Sequence, residues 1–400
     1  MKSQARLYLV TFAIVFLTTH FPKIITANES IKYNQPPSSS TTDQQLPEQN
    51  GSQSQSLHTI LVGGFAGTIT ILQFDEKTQK LSKLNSLNNS FVGASPSWMK
   101  ISPDGQFLHS ANEVKEIDHR KNTGSLSSYR LLNNDSKPNS NRSLVIEPMN
   151  QAFTSADPVS FDISTDQKNM IVASYTGATA CRYELNDDRS FKSTKSAQTF
   201  TYNASGPITA RQSQSHLHQA RYDPTGRIAA FVDLGGDRVY LHSVDKQTGE
   251  LNPIHTIQLE PGTGPRHLTF FTVNESRTDV YLICELSNKM IYIQLNHITK
   301  PTISIKLQQI LNTLPTEFQT QTTFGAGEVV ISNDGKFLYG TNRQTDFKRP
   351  KEENNLDQSF LVVVGQQDHL VGIYKRDVLN GEIKFLDMIT IDEPAYVEFL

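Results

Sequence analysis

The stretch Ser215–Gly235, "SHLHQARYDPTGRIAAFVDLG", reads as an apolar strand, a Pro-Thr-Gly turn, and a second apolar strand ending in polar residues. It is one of five such units. "PSWMKISPDGQFLHSANEV" begins at Pro96, "DPVSFDISTDQKNMIVASYTG" at Asp157, "GPRHLTFFTVNESRTDVYLICELS" at Gly264 and "GAGEVVISNDGKFLYGTNRQ" at Gly325. Their turns, near Gly105, Gln167, Gly226, Ser276 and Gly335, lie 50 to 62 residues apart. A second strand–turn–strand pattern fills the intervals: "ITILQFDEKTQKLSKL" from Ile69, "VYLHSVDKQTGELNPI" from Val239 and "VGIYKRDVLNGEIKFL" from Val371. Four short strands per period, with no amphipathic helix between them, is the pattern of a β-propeller. A sandwich of two Greek keys would not keep one unit in register five times.

The ends of the repeat region suit a ring. "HTILVGGFAGTITILQFDEKTQKLSKL", from His58, supplies the last three strands of a blade, and the terminal "EPAYVEFL", from Glu393, supplies a lone strand. One blade built from both would leave no open edges. After Arg343 only "QTDFKRPKEENNLDQ" precedes "SFLVVVGQQDHLVGIYKRDVLNGEIKFL". Counting what is present predicts four complete blades, one shared between the two ends, and a hybrid of the Gly325 hairpin with the Ser359 segment. The expected fold is an all-β propeller of four-stranded blades over residues 57–400, with six blade equivalents.

Residues before 57 read differently. Lys2 and Arg6 precede an apolar run from Leu7 to Leu17, and small residues follow to Ala27. That order is the one of a secretory signal peptide. The run is shorter than the roughly 20 residues of a spanning helix, which makes an uncleaved anchor the poorer alternative. Residues 28–56 hold almost no large apolar side chains and read as a disordered polar linker. Asn-X-Ser sequons at Asn28, Asn50, Asn88, Asn134, Asn141, Asn203 and Asn274 suit a secreted, glycosylated chain. The expectation is a secreted monomer that has no membrane attachment after cleavage. A formal net charge of −3 carries no basic excess, so nucleic acid is not an expected partner. Cys181 and Cys284 are the only cysteines, which leaves either two buried thiols or a single bridge.

The topology of a blade selects a candidate site. With strands labelled a to d from the axis outward, the start of each a and the end of each b meet at one mouth of the central channel. The starts of a supply Trp98, His216, His218, Arg266, His267 and Glu328. The ends of b supply Asn112, Glu113, Tyr175, Asp233, Glu285, Asn342 and Arg343. Bases, acids and guanidiniums thus converge on one concavity. His216 and His218, two apart, are expected to share a face of their strand. A metal could use such a pair, yet no third ligand stands at a recognisable spacing. Asp104-Gly105 and Asp334-Gly335 are turn chemistry. Asp233 and Asp237 are expected to accept hydrogen bonds from loop amides. Arg266 and Glu285 each require a partner or a ligand, because a charge near a propeller axis is costly alone.

The ordered series "PSWMKISPDGQFLHSANE", "RQSQSHLHQARYDPTGR", "DLGGDRVYLHSVD", "GPRHLTFF", "CELSN", "ISNDGKFLYGTNR" and "EPAYVEFL" resembles the lactonases with a seven-bladed β-propeller fold. These include the 6-phosphogluconolactonase type and the fungal 3-carboxy-cis,cis-muconate cyclases. The resemblance covers nearly everything after Leu57. It implies four catalytic positions: His218 in "LHQARYDPT", Arg266 in "GPRH", Glu285 in "CELSN" and Arg343 in "TNR". His267 and Arg211 match lactonase-type positions and are expected to contact substrate, as are His216 and Glu113 at the mouth. The implied chemistry needs no metal or organic cofactor. His218 and Glu285 would exchange protons near neutral pH, and Arg266 and Arg343 would hold a carboxylate or phosphate. "RQ…HLH", "DLGGDRV" and "GPRH" are closer to the lactonase branch, so hydrolysis of a sugar-acid or related lactone is the expected reaction. Muconate cyclisation is the alternative, and a non-catalytic secreted binding propeller is the alternative of another class.

Overall fold

A computed structural model of the chain describes residues 8–16, 23–31, 57–87, 95–134, 143–299, 302–319, 323–344, 354–356, 359–366 and 368–400. Of the expected linker 28–56, residues 28–31 belong to the strand Lys23–Ile31, and residues 32–56 lie outside the described residues. What is described is almost entirely β-strand, arranged in seven four-stranded sheets plus a two-stranded hairpin at Glu116–Ile117 and Arg120–Lys121. The blades are numbered here from the one containing Leu57–Gly64. In that first blade the terminal strand Pro394–Phe399 is innermost, followed outward by Leu57–Gly64, Ile69–Asp75 and Lys80–Leu87. Blades two to five have inner strands Pro96–Ile101, Pro158–Ile163, Leu217–Tyr222 and Pro265–Asn274. Inner strands of neighbouring blades pack side by side, and the seventh blade packs against Pro394–Phe399 of the first.

The count of six is corrected to seven. The seventh blade has its own inner strand, Asn354–Leu356, within the stretch read as a bare connection. Three residues, two of them Asn, carry no period-two signal, so the sequence pattern passes over them. The Gly325 hairpin is therefore no hybrid. It forms the inner half of the sixth blade, Phe324–Ile331 and Phe337–Gln344, whose outer half is Tyr8–Phe16 and Lys23–Ile31. These outer residues overlap the leader pattern. Cleavage near Ala27 would remove the third strand and leave Phe337–Gln344 at a sheet edge.

The repeated turns share one construction. Gly105, Gln167, Gly226 and Gly335 adopt φ of 69°, 60°, 66° and 68°. In three of these turns a serine hydroxyl donates to the aspartate two residues on: Ser102 to Asp104, Ser164 to Asp166 and Ser332 to Asp334. In the fourth, Asp223 takes the place of the serine and accepts from the backbone N–H groups of Arg227 and Ile228. Glycine suits the left-handed corner, and Gln167, which occupies it in one turn, donates its side-chain amide to Ser164 O.

Alternate residues of each strand build the inter-blade core. Ala230, Val232, Val239 and Leu241 of the fourth blade meet Leu268, Phe270, Val280, Leu282 and Ile291 of the fifth. Cys181 and Cys284 are free thiols buried in these layers, so the bridge is not formed. Replacing Leu282, which is fully buried between the two blades, by Ala is expected to cost roughly 2–5 kcal/mol. A fall in the urea midpoint at unchanged slope would measure it.

Candidate active site

Six of the seven inner strands carry a register shift near their start: Pro96/Trp98, Pro158/Ser160, Leu217/Gln219, Pro265/His267 and Ala326/Val329, with the matching shift at Gly63/Gly64 opposite Pro394–Phe399. In blades four and five the extra residue is His218 and Arg266. A bulge leaves that residue out of the ladder and re-aims its side chain. The alternation expected of His216 and His218 is corrected accordingly. The strand begins at Leu217, and a bulge rather than a two-residue period brings both imidazoles to Tyr175. His216 stacks on the tyrosine ring at 4.2 Å between centroids, and His218 meets its edge at 5.5 Å. His216 Nδ1 also lies 3.1 Å from the Tyr175 carbonyl, while His218 Nδ1 lies 3.1 Å from His267 Nε2. Each imidazole thus makes a contact with a protein neighbour through Nδ1.

Glu285 is the hub. Its backbone N–H donates to Gly264 O, and its carbonyl accepts from Ala326 N–H, which extends the blade-five hairpin onto blade six. Gly264 sits at φ 57° with its N–H on Asp237, and a Cβ there would overlap Leu286. Three guanidiniums reach the carboxylate. Arg343 Nη2 is 2.5 Å from Oε2, Arg211 Nη2 is 2.7 Å from Oε1, and Arg266 Nε is 3.1 Å from Oε2. Arg266 and Glu285 are 0% and 3% exposed, whereas the Arg211 side chain is 39% exposed and forms the rim. Arg211 is carried on the one-turn helix Thr209–Gln212. Gln212, its neighbour, is buried and pinned through its amide to Leu234 O and the Asp237 carboxylate.

Burial works against ionising Glu285, but Arg343, Arg211 and Arg266 outweigh it and hold its pKa at about 2. The expectation that Glu285 titrates near neutrality is therefore corrected. It remains a carboxylate and organises the guanidiniums. The three guanidiniums exceed the nearby carboxylates, Glu285 and Glu328, by one charge. Arg266 Nη2, fully buried, has no hydrogen-bond partner among the described residues. The site therefore favours an anion or a developing negative charge.

His267 lies behind His218, with Nδ1 2.6 Å from Glu328 Oε2 and the edge of Trp98 against its ring. Burial, with Arg266 adding to it, pushes its pKa down to about 4, so the ring is neutral at pH 7. Other side chains around the mouth have protein partners. Asp233 accepts from His216 N–H and Gly236 N–H, and Asp237 from Gly262 N–H and Gly264 N–H, as the loop-amide reading holds. Asn112 donates to Ser125 and Ser127, and Asn342 to Asn288 and Thr313. Glu113 accepts from the Ser97 hydroxyl at 2.6 Å, on the blade-two side of the mouth.

Sequence reasoning missed a second layer along the channel. Two residues beyond Trp98, Ser160, Gln219 and Tyr396 stand Lys100, Asp162, Arg221 and Glu398. Lys100 pairs with Asp162, Arg221 Nε lies 3.9 Å from it, and Tyr396 donates to Glu398. Burial pushes the Glu398 carboxyl up to about 7. Only Lys100 stands two residues past a residue predicted at the mouth, Trp98, and the bulge at His218 puts Arg221 out of step with His216 and His218.

Two acid-labile windows follow. His109 and His267 are buried, with folded pKa values of about 4 against an ordinary 6.5, so the unfolded chain binds more protons between those values. Their contribution, on the order of 3 kcal/mol each at most, is intact above pH 6.5 and is lost as pH falls to 4. Glu285 then adds a loss between its ordinary 4.5 and about 2. Urea midpoints measured from pH 8 to 3 are expected to fall in that order. In Glu285→Gln the lower window should flatten, from a starting stability reduced by roughly 3–5 kcal/mol.

The family described as "Lactonase, 7-bladed beta-propeller" matches residues 59–348. A "Probable 6-phosphogluconolactonase" of Arthroderma benhamiae is 30% identical over 328 residues, covering 82% of this chain and 72% of the relative. A "6-phosphogluconolactonase" of Formosa agariphila is 26% identical over 365 residues, covering 82% of this chain and 95% of the relative. The solved structure of a Pseudomonas aeruginosa periplasmic gluconolactonase superposes with a TM-score of 0.70 at 22% identity, covering 86% of this chain and 99% of that one, which is a likeness of fold. With seven four-stranded sheets and a match across most of its length, the chain belongs to the seven-bladed β-propeller lactonases.

Proposed function

We propose that the protein hydrolyses an anionic sugar-acid lactone of the 6-phosphogluconolactone type at the mouth bounded by His218, Arg266, Arg343 and Arg211. The observation that carries this reading is the arginine cluster: three guanidiniums share one buried carboxylate, and Arg266 Nη2 still has no partner among the described residues. The half-exposed Arg211, with His216 and Tyr175, would meet the phosphate or carboxylate of the substrate first. His218 would take a proton from water as it attacks the lactone carbonyl carbon. The oxyanion that forms would develop against Arg266 and Arg343, which are already oriented by Glu285. Collapse would break the bond to the ring oxygen, and the leaving alkoxide would recover the proton from His218. The product is the open hydroxy acid, whose new carboxyl then loses its remaining proton to solvent. Imidazole suits both proton steps because it titrates near neutral pH.

The test is hydrolysis of 6-phosphogluconolactone, gluconolactone and a muconolactone by the purified protein. The phosphorylated lactone is expected to be preferred. His218→Ala and Arg266→Ala should each lower kcat/KM by about 10²–10³. Arg211→Ala should chiefly raise KM for the phosphorylated substrate and erase the preference. Equal turnover of charged and neutral lactones by wild type and Arg211→Ala would remove the anionic-substrate reading.

We further propose export, on the strength of the leader pattern at residues 1–27. N-terminal sequencing of protein recovered from the culture medium is expected to start near Asn28. A start at Met1 would instead retain Tyr8–Phe16 as a strand of the sixth blade.

A further inference from the structure

We infer that Glu328 and His267 are positioning residues that set the tautomer of His218, so that its basic lone pair stands on Nε2. This rests on His218 acting as the base in the reaction proposed above, but its structural content is independent of the substrate. Three groups from three successive blades form an unbroken line. Glu328 Oε2 lies 2.6 Å from His267 Nδ1, and His267 Nε2 lies 3.1 Å from His218 Nδ1. Glu328 is buried and His267 is 0% exposed, so the line is shielded from water.

Only one proton order satisfies every member. Burial opposes ionising Glu328, but its contact with His267, the charge of Arg266 and the Val329 N–H on Oε1 together hold its pKa below the ordinary range, so it stands as a carboxylate. A carboxylate at 2.6 Å needs a donor, so His267 carries its proton on Nδ1. The Glu328 carboxylate favours a second proton on this ring, but burial, the larger effect, opposes it, as does Arg266 Nη1, 3.3 Å from both ring nitrogens. Arg343 opposes it as well. Trp98 contributes an uncharged edge. His267 Nε2 is therefore an acceptor, His218 Nδ1 must donate to it, and the His218 lone pair falls on Nε2. The reverse order would set a ring lone pair against the carboxylate. Neither residue touches the reacting atoms. They act through His218, as an orienting acid acts through a catalytic imidazole.

The experiment pairs ¹⁵N side-chain NMR of the histidines with pH–rate profiles, in wild type, Glu328→Gln and Glu328→Ala. In wild type, His218 is expected to show a protonated Nδ1 and an unprotonated Nε2. Glu328→Ala should mix the tautomers and lower kcat on the order of 10²-fold with KM changed less than about twofold. Glu328→Gln keeps an acceptor, so it should retain the tautomer and most of kcat while moving the acid limb of the profile to lower pH. A His218 tautomer unchanged in Glu328→Ala, with the fold intact by circular dichroism, would overturn the inference. If no lactone is turned over but the tautomer mixes in Glu328→Ala, the relay stands and only the assigned reaction fails.

Discussion

A guanidinium with no solvent contact cannot stand without a counter-charge, and Arg266 is such a group. Its answer is Glu285, and the arrangement of the mouth follows from that pairing. The carboxylate must be buried to reach Arg266, and burial would favour its protonation were it not for Arg343, which shares Oε2 with Arg266, and Arg211 on Oε1. One acid thereby fixes three bases drawn from blade five, blade six and the loop before blade four. The positive excess is a consequence. Each arginine is oriented before any ligand arrives, so an incoming anion need not reorganise them.

The propeller makes this convergence possible by repetition. Inner strands start at the same mouth, and in six of the seven a bulge near the start leaves one residue out of the ladder. Where that residue is Arg266 or His218 it becomes chemistry, while in blades two and three the same position is Ser97 or Val159. The turns at the opposite ends need only a left-handed corner and a short side-chain bond, so they repeat with little regard to function. The candidate site therefore sits on a rigid frame, with the half-buried Arg211, His216 and Tyr175 at its outer edge.

Glu285 also marks the difference between a polar residue at a mouth and a proton-exchanging one. Its position at the end of a b strand is readable from residue order alone. Its ionisation is not, because three cations from separate parts of the chain determine it. His267 shows the reverse case. A histidine beside an arginine motif looks like a substrate contact, yet its ring is wholly buried and spans the gap between Glu328 and His218.

Residue order by itself determined the four-stranded repeat and most of the charged groups that meet at the mouth, Arg211 excepted, because period-two alternation, Asp-Gly turns and hairpin direction are all local. It also distinguished Asp233 and Asp237, which serve loop amides, from the charged residues that needed partners. Only the tertiary structure decided the seventh blade, since Asn354–Leu356 is too short and polar to carry a strand pattern and is recognised by the strand it pairs with. The same holds for the protonation of Glu285, the direction of the His218 ring and the charged layer of Lys100, Asp162, Arg221 and Glu398. Each depends on distances between blades, which are set by packing around the axis and have no counterpart in local spacing.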